Sequence, residues 1–183
     1  MVVSAPTGSG KTLVGEYAIH RAMAHGQKVF YTTPLKALSN QKLRDFREQF
    51  GAENVGLMTG DLSVNRDASI VVMTTEIFRN MLYAEADEHD DPLADVEAVV
   101  LDECHYMNDS QRGTVWEESI IHSPPPVQLV ALSATVANAG QLTDWIEKVH
   151  GPTTLVLSDF RPVPLHFGFC SAKGLHPLLN EQG

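Results

Sequence analysis

Short β-branched runs alternate with segments of helical period along most of the chain, and this alternation restricts the fold more than any other feature. The runs lie at 1–4, 28–32, 55–58, 70–73, 96–101, 127–132 and 153–157, and the helix-period segments at 11–25, 35–50, 76–85, 114–122 and 141–150. A strand followed by a crossover helix and a further strand gives parallel pairing, so the pattern predicts an α/β fold, a parallel β-sheet flanked by helices. The nearly continuous apolar stretches 98–101 and 127–132 suit strands covered on both faces. A chain of 183 residues accommodates one domain with a sizeable core. After Pro152 the texture changes: "SDFRPVPLHF" reads as an extended linker, and 85–92 as a solvated acidic loop.

The first run leads directly into "APTGSGKT". A loop that grips a triphosphate needs glycines to turn backbone N–H groups toward the phosphates, a helix N-terminus behind them, a lysine for the terminal phosphates and a hydroxyl for magnesium. Gly8, Ser9, Gly10, Lys11 and Thr12 supply that set, with Ala5 where the strict motif has its first glycine. A strand before the loop and a helix after it are the context this motif requires.

The second constellation is "VVLDECHYMNDSQRGTVWEE". An apolar strand ending in two acids places one carboxylate on magnesium and the next beside the attacking water in P-loop ATPases. Asp102 and Glu103 fit those positions. A zinc site built from Asp102, Glu103, Cys104 and His105 is disfavoured, because four consecutive residues leaving a strand alternate in direction and do not converge on one tetrahedral ion. Cys104 reads as a small buried side chain. Trp116, Ile120 and Ile121 read as core, and His20, His25, His122 and His150 as helix-end or packing residues.

Composition narrows the setting. Hydrophobic residues make up 43% and charged residues 20%, and no apolar run approaches the roughly 20 residues of a membrane span. No secretory pattern opens the sequence, and Cys104 and Cys170 are far apart, so reduced thiols in a cytoplasmic compartment are expected. The formal charge of -10 is unevenly spread. Lys28, Lys36, Lys42, Arg44 and Arg47 cluster early, whereas Glu85, Asp87, Glu88, Asp90, Asp91, Asp95 and Glu97 accumulate later, predicting one basic and one acidic face.

In this order the segments resemble superfamily 2 helicases, and within them the DExH-box RNA helicases of the superkiller (Ski-like) type. "APTGSGKT" is similar to motif I, "TTPLKALSNQK" to motif Ia, "LMTGD" and "VVMTTEIFRNMLY" to the RNA-contacting motifs that follow, "DECH" to motif II and "LSAT" to motif III. "HYMNDSQRGTVWEE" and "RPVPL" point to the subfamily. The resemblance implies a RecA-like P-loop NTPase domain over 1–158 and a linker over 159–183 toward a second RecA-like domain. It implies ATP as nucleotide, held by 8–12, with Lys11 at the β- and γ-phosphates, Thr12 and Asp102 on Mg2+, and Glu103 on the catalytic water. His105, Ser133, Ala134 and Thr135 resemble couplers to the RNA. Thr33, Pro34, Lys36, Thr59, Gly60, Thr75 and Glu76 resemble positions along the RNA path. Pro34 also serves as a strand breaker and Thr75 as a cap for the helix at Glu76, so both readings stand for these positions.

The family also has an adenine-recognising glutamine ahead of motif I and an arginine finger on the second domain. The sequence contains neither, and it is therefore read as part of a larger helicase. Arg66, Arg79 and Arg112 are the local substitutes that could be proposed, and none has the context of a finger. A catalytically silent module that binds ATP or RNA, and a DNA-directed relative, are the alternatives.

Overall fold

The computed structural model describes residues 1–83, 91–108, 113–165, 167–172 and 174–177. Its centre is an eight-stranded sheet in the order β4-β3-β5-β2-β6-β7-β1-β8. The strands are β1 (Val2–Ser4), β2 (Lys28–Thr33), β3 (Val55–Met58), β4 (Ser63–Val64), β5 (Ile70–Thr74), β6 (Val96–Leu101), β7 (Gln128–Ser133) and β8 (Leu155–Leu157). All pair in parallel except β4, which runs antiparallel to β3 with Leu57 opposite Val64. Every residue of β5 is buried, as expected of a strand covered on both faces.

Two separate apolar clusters form, one on each face. Helices α1 (Thr12–Ala24) and α2 (Lys36–Phe50) cover one face and contribute Ile19, Ala22 and Phe46 to a cluster with Val29, Tyr31, Val72 and Val100. Helices α3 (Thr75–Tyr83), α4 (Gly113–His122) and α5 (Ala139–Val149) cover the other and contribute Phe78, Trp116, Ile120 and Ile146. Each fully buried side chain of this kind is worth about 1.5–3 kcal/mol, which is what holds the helices to the sheet. Ile121, expected in the core, is 48% exposed, because one residue beyond Ile120 turns about 100° around α4 and off the buried face.

All seven expected strands and all five expected helices are present, with ends shifted by a residue or two. The end of the 76–85 segment, most of the acidic loop and Arg112 lie outside the described residues. Among the strands of the described residues, β4 was not anticipated, nor was an antiparallel pair formed by β9 (Gly168–Ser171) and β10 (Gly174–Pro177) within the segment read as a linker. The early basic cluster does not make one face. Lys28 begins β2, Lys36 pairs with Asp61 at 2.9 Å, and an Arg47 Nη2 donates to the Val55 carbonyl at 3.4 Å. Residues spaced along a strand and then around a helix are pointed in different directions by the fold. Among the described residues no helix is long and apolar enough to cross a membrane.

Candidate active site

In a parallel sheet every strand ends at the same edge, and the loops that leave it converge there. The order β6-β7-β1 brings the loop after β1 and the acids after β6 to either side of the turn after β7. Thr7, Gly8, Gly10, Lys11 and Thr12 from the first, and Asp102 and Glu103 from the second, line one cleft of about 410 Å³.

The loop over 7–11 turns through Gly8 at φ 82° and Gly10 at φ 90°, backbone angles that favour residues without a Cβ. Helix α1 then starts without a side-chain cap and without an acidic residue in its first turn. Lys11 and Thr12 at its start line the cleft, which therefore lies at the positive end of the helix dipole. Lys11 Nζ donates to the carbonyls of Ala5 at 2.8 Å and Pro6 at 3.1 Å, folding the lysine back along the loop. The Ser9 hydroxyl is buried with no partner among the described residues, although its backbone N–H donates to the Pro6 carbonyl at 3.1 Å.

Asp102 is fixed from two sides. Its Oδ1 accepts from the Glu103 N–H at 2.9 Å, and its Oδ2 accepts from the Tyr31 hydroxyl at 2.8 Å. Tyr31 was not singled out in the sequence, where it reads as one more strand residue. It is fully buried, sits edge-on to Phe46 at 4.9 Å, and fills the space beneath Gly15, where an added Cβ would come within 2.9 Å of its ring. Burial first, and then the Asp102 carboxylate, raise the Tyr31 hydroxyl well above the ordinary pKa. Tyr31→Phe is expected to cost about 1.5–3 kcal/mol at neutral pH, the usual worth of a hydrogen bond to a charged group. The sign with pH follows from the raised folded value: the contribution is complete below about pH 10, the unfolded value, and is lost as pH climbs toward the folded one. Urea unfolding of both proteins at neutral and strongly alkaline pH should show the gap narrowing on the alkaline side, and a gap that stays constant would contradict this assignment.

Glu103 adopts φ 54°, in the left-handed region. For a residue with a side chain this costs about 1 kcal/mol or more and marks a position held by its surroundings. A short 3-10 turn over Cys104–Asn108 follows. Cys104 within it is fully buried, and burial pushes its thiol up to about 12, the inert state expected of a packed cysteine. His105 Nδ1 lies 3.3 Å from Glu103 Oε2 and 3.4 Å from the Ala134 nitrogen. One ring nitrogen donates to the carboxylate or accepts from the amide, but not both at once, so the proton on His105 selects which neighbour it binds.

Ser133 is buried, and its hydroxyl donates to the Ala134 carbonyl at 2.9 Å; Thr135 is exposed. Ser4 completes the turn, donating to the same carbonyl at 3.2 Å and accepting from the Val136 N–H at 3.4 Å. His105 and Ser133 also line a second cavity of about 260 Å³ with Cys104, Leu142 and Trp145.

The remaining candidates gather at the ends of β2, β3 and β5, on the other half of the same edge. Thr33 and Thr75 are buried. The Thr33 hydroxyl lies 2.7 Å from that of Ser39, and the Thr75 hydroxyl donates to the Thr33 carbonyl at 3.2 Å. The Thr75 side chain ties the β5 turn to the β2 end and the Thr33 side chain ties that end to the start of α2, and neither is presented to solvent. Pro34 is buried, Glu76 is half-buried and Gly60 is exposed. Lys36 and the Thr59 hydroxyl, at 2.9 Å each, both bind Asp61, joining the α2 start to the turn after β3. The Lys36 hydrogen bond, followed by that from Thr59, lowers the Asp61 carboxyl.

The chain is similar to known proteins in sequence and in fold. The chain is 57% identical to the "DExH-box ATP-dependent RNA helicase DExH15 chloroplastic" of Arabidopsis thaliana, with all of this chain and 16% of that protein covered. It is 48% identical to the "ATP-dependent RNA helicase mtr4" of Schizosaccharomyces pombe, again with all of this chain and 16% of that protein covered. It thus spans about a sixth of the length of these curated relatives. Among solved structures, Mycobacterium smegmatis helicase Lhr bound to ssDNA and AMP-PNP superposes with a TM-score of 0.66 at 28% identity, over 86% of this chain and 23% of that one. The DEAD/DEAH box helicase model matches residues 1–142, a span that contains every loop lining the cleft, and the chain belongs to that family.

Proposed function

We propose that this chain is the ATP-binding domain of an ATP-dependent RNA helicase, in which NTP hydrolysis drives unwinding or remodelling of nucleic acid. The observation that carries the reading is the meeting of Lys11, Thr12, Asp102 and Glu103 in one cleft at the N-terminus of α1. Lys11 binds the β- and γ-phosphates, and backbone N–H groups of the loop receive the phosphate oxygens. Magnesium fits the donors present, since the Thr12 hydroxyl and the Asp102 carboxylate are hard oxygens and the hydroxyl already lies 3.4 Å from the Lys42 ammonium. When bound, it neutralises charge on the phosphates. Tyr31 keeps the Asp102 carboxylate oriented, and Glu103 orients the attacking water.

His105, Ser133, Ala134 and Thr135 carry the state of the cleft to the nucleic acid. The turns after β2, β3 and β5, with Pro34, Lys36, Thr59, Gly60 and Glu76, form one side of its path. Thr33 and Thr75 support that path from beneath. We assign residues 1–158 to a first RecA-like domain and 159–183 to the connection toward a second, and place the protein in a cytoplasm-like reducing compartment, away from membranes. The free thiols of Cys104 and Cys170 are in keeping with that setting.

The test is phosphate release by a full-length protein containing this chain, with no nucleic acid, with single-stranded RNA and with DNA of the same sequence. Stimulation by RNA supports the reading. Stimulation by DNA alone identifies a DNA-directed enzyme, since contacts to phosphate and sugar separate the two only through the 2′-hydroxyl. Absence of turnover under all three conditions identifies a silent binding module.

A further inference from the structure

Helix α2 begins on the nucleic-acid side, where Lys36 is neutralised by Asp61. Six residues further on, Lys42 stands about 120° around the helix from Lys36 and faces a different neighbour. It lines the cleft that holds Lys11, Thr12, Asp102 and Glu103, together with Leu38 and Gln41 of the same helix. Its Nζ donates to the Thr12 hydroxyl at 3.4 Å and lies 5.5 Å from the centre of the Tyr31 ring and 5.7 Å from that of Phe46. Among the described residues no carboxylate forms an ion pair with it, in contrast to Lys36 and Arg79. The two aromatic faces stabilise the ammonium without neutralising it.

We propose that Lys42 is a second phosphate-binding lysine, which reaches the terminal phosphate of the nucleotide from α2 while Lys11 reaches it from the loop. This rests on the reading of the cleft as a triphosphate site. A magnesium-bound triphosphate carries net negative charge, and Lys42 brings a positive charge to a cleft whose other side chains include two carboxylates. Lys42 has a flexible stem, so its ammonium exchanges the Thr12 hydroxyl for a phosphate oxygen without movement of α2. A charge-assisted bond of that kind is stronger than the long contact it replaces. The interaction is made in the bound ground state and adds nothing in the position of an arginine finger.

The experiment is equilibrium titration of the 183-residue chain with fluorescent ATP and ADP analogues in magnesium, for wild type, Lys42→Met, Lys42→Arg and Lys11→Ala. Lys42→Met should weaken ATP about tenfold or more and ADP less than about threefold, with Lys42→Arg recovering most of the loss. A lysine that only braces Tyr31 and Phe46 would shift ATP and ADP affinity equally, and equal shifts or none overturn the proposal. Lys11→Ala separates this outcome from failure of the underlying reading: if it leaves the binding of both nucleotides intact, or the wild type binds neither, the cleft is not a triphosphate site and the proposal falls with it. Thermal unfolding of each variant accompanies the titration, and a Lys42→Met chain that is not folded passes the decision to Lys42→Gln, read by the same ATP-to-ADP ratio.

Discussion

Glu103→Gln is expected to lower RNA-stimulated ATP turnover by a full-length protein containing this chain by about 10² to 10⁴-fold, the range for loss of a positioned base. Nucleotide affinity should stay within a few-fold of wild type. Glutamine keeps the shape of the side chain and the left-handed backbone at φ 54°, so the loop is not expected to move. What it removes is the negative charge that, on the proposed function, polarises water, and also the anion 3.3 Å from His105 Nδ1. The imidazole nitrogen then keeps the Ala134 N–H, 3.4 Å away, as a neighbour that donates to it. Single-turnover phosphate release alongside ATP affinity measures the split. A fall in affinity as large as the fall in rate would place Glu103 among the binding groups.

The second large effect concerns positive charge in the transition state. An arginine directed at the transferring phosphoryl group is worth about 10³ to 10⁵ in rate. Among the described residues that line the cleft, none is an arginine. Arg79 is engaged with Glu118 at 3.4 Å, and Arg66 lines a different cavity with Lys28, Asp67 and Asp95. We therefore expect the 183 residues on their own to release phosphate at least about 10³-fold more slowly than a full-length protein with RNA, in which, on the proposed function, a second RecA-like domain would supply the arginine. Steady-state phosphate release with and without RNA checks this. RNA-stimulated turnover by the 183 residues at about 1 s⁻¹ or more, lost in Glu103→Gln, would require the charge to come from within this chain or from a second copy of it.

The sheet was legible because its strands are apolar on both faces and β-branched, a signal that survives without any knowledge of neighbours. β6 and β3 match their expected ranges, and the P-loop and the Asp102–Glu103 pair could be placed because each follows such a strand. β4 was not legible: its two residues, Ser63 and Val64, carry no periodicity, and it exists only through pairing with β3. The β9 and β10 pair was hidden for the same reason, in a segment whose prolines signal extension and not partnership.

Within the site, residues contiguous in sequence with a motif were found, and those delivered by a neighbouring element were not. Tyr31 reaches Asp102 from the adjacent strand, 71 residues away in sequence, and Lys42 reaches Thr12 from α2. Both were visible as residue types, but their direction depends on strand order and helix phase. Thr33 and Thr75 show the converse. Their place in "TTPLKALSNQK" and "VVMTTEIFRNMLY" marks them out, while their burial and the hydrogen bond from Thr75 to the Thr33 carbonyl are properties of packing.

The central claim is that the cleft between the 7–12 loop and Asp102–Glu103 binds a magnesium nucleoside triphosphate through Lys11. It is tested most directly by calorimetric titration of the 183-residue chain with ATP, in magnesium and in EDTA, for wild type and Lys11→Ala. The account predicts saturable one-to-one binding by the wild type in magnesium, weakened by at least about tenfold in EDTA and lost in Lys11→Ala with the fold intact. Binding that is indifferent to magnesium and equal in the two proteins would contradict it.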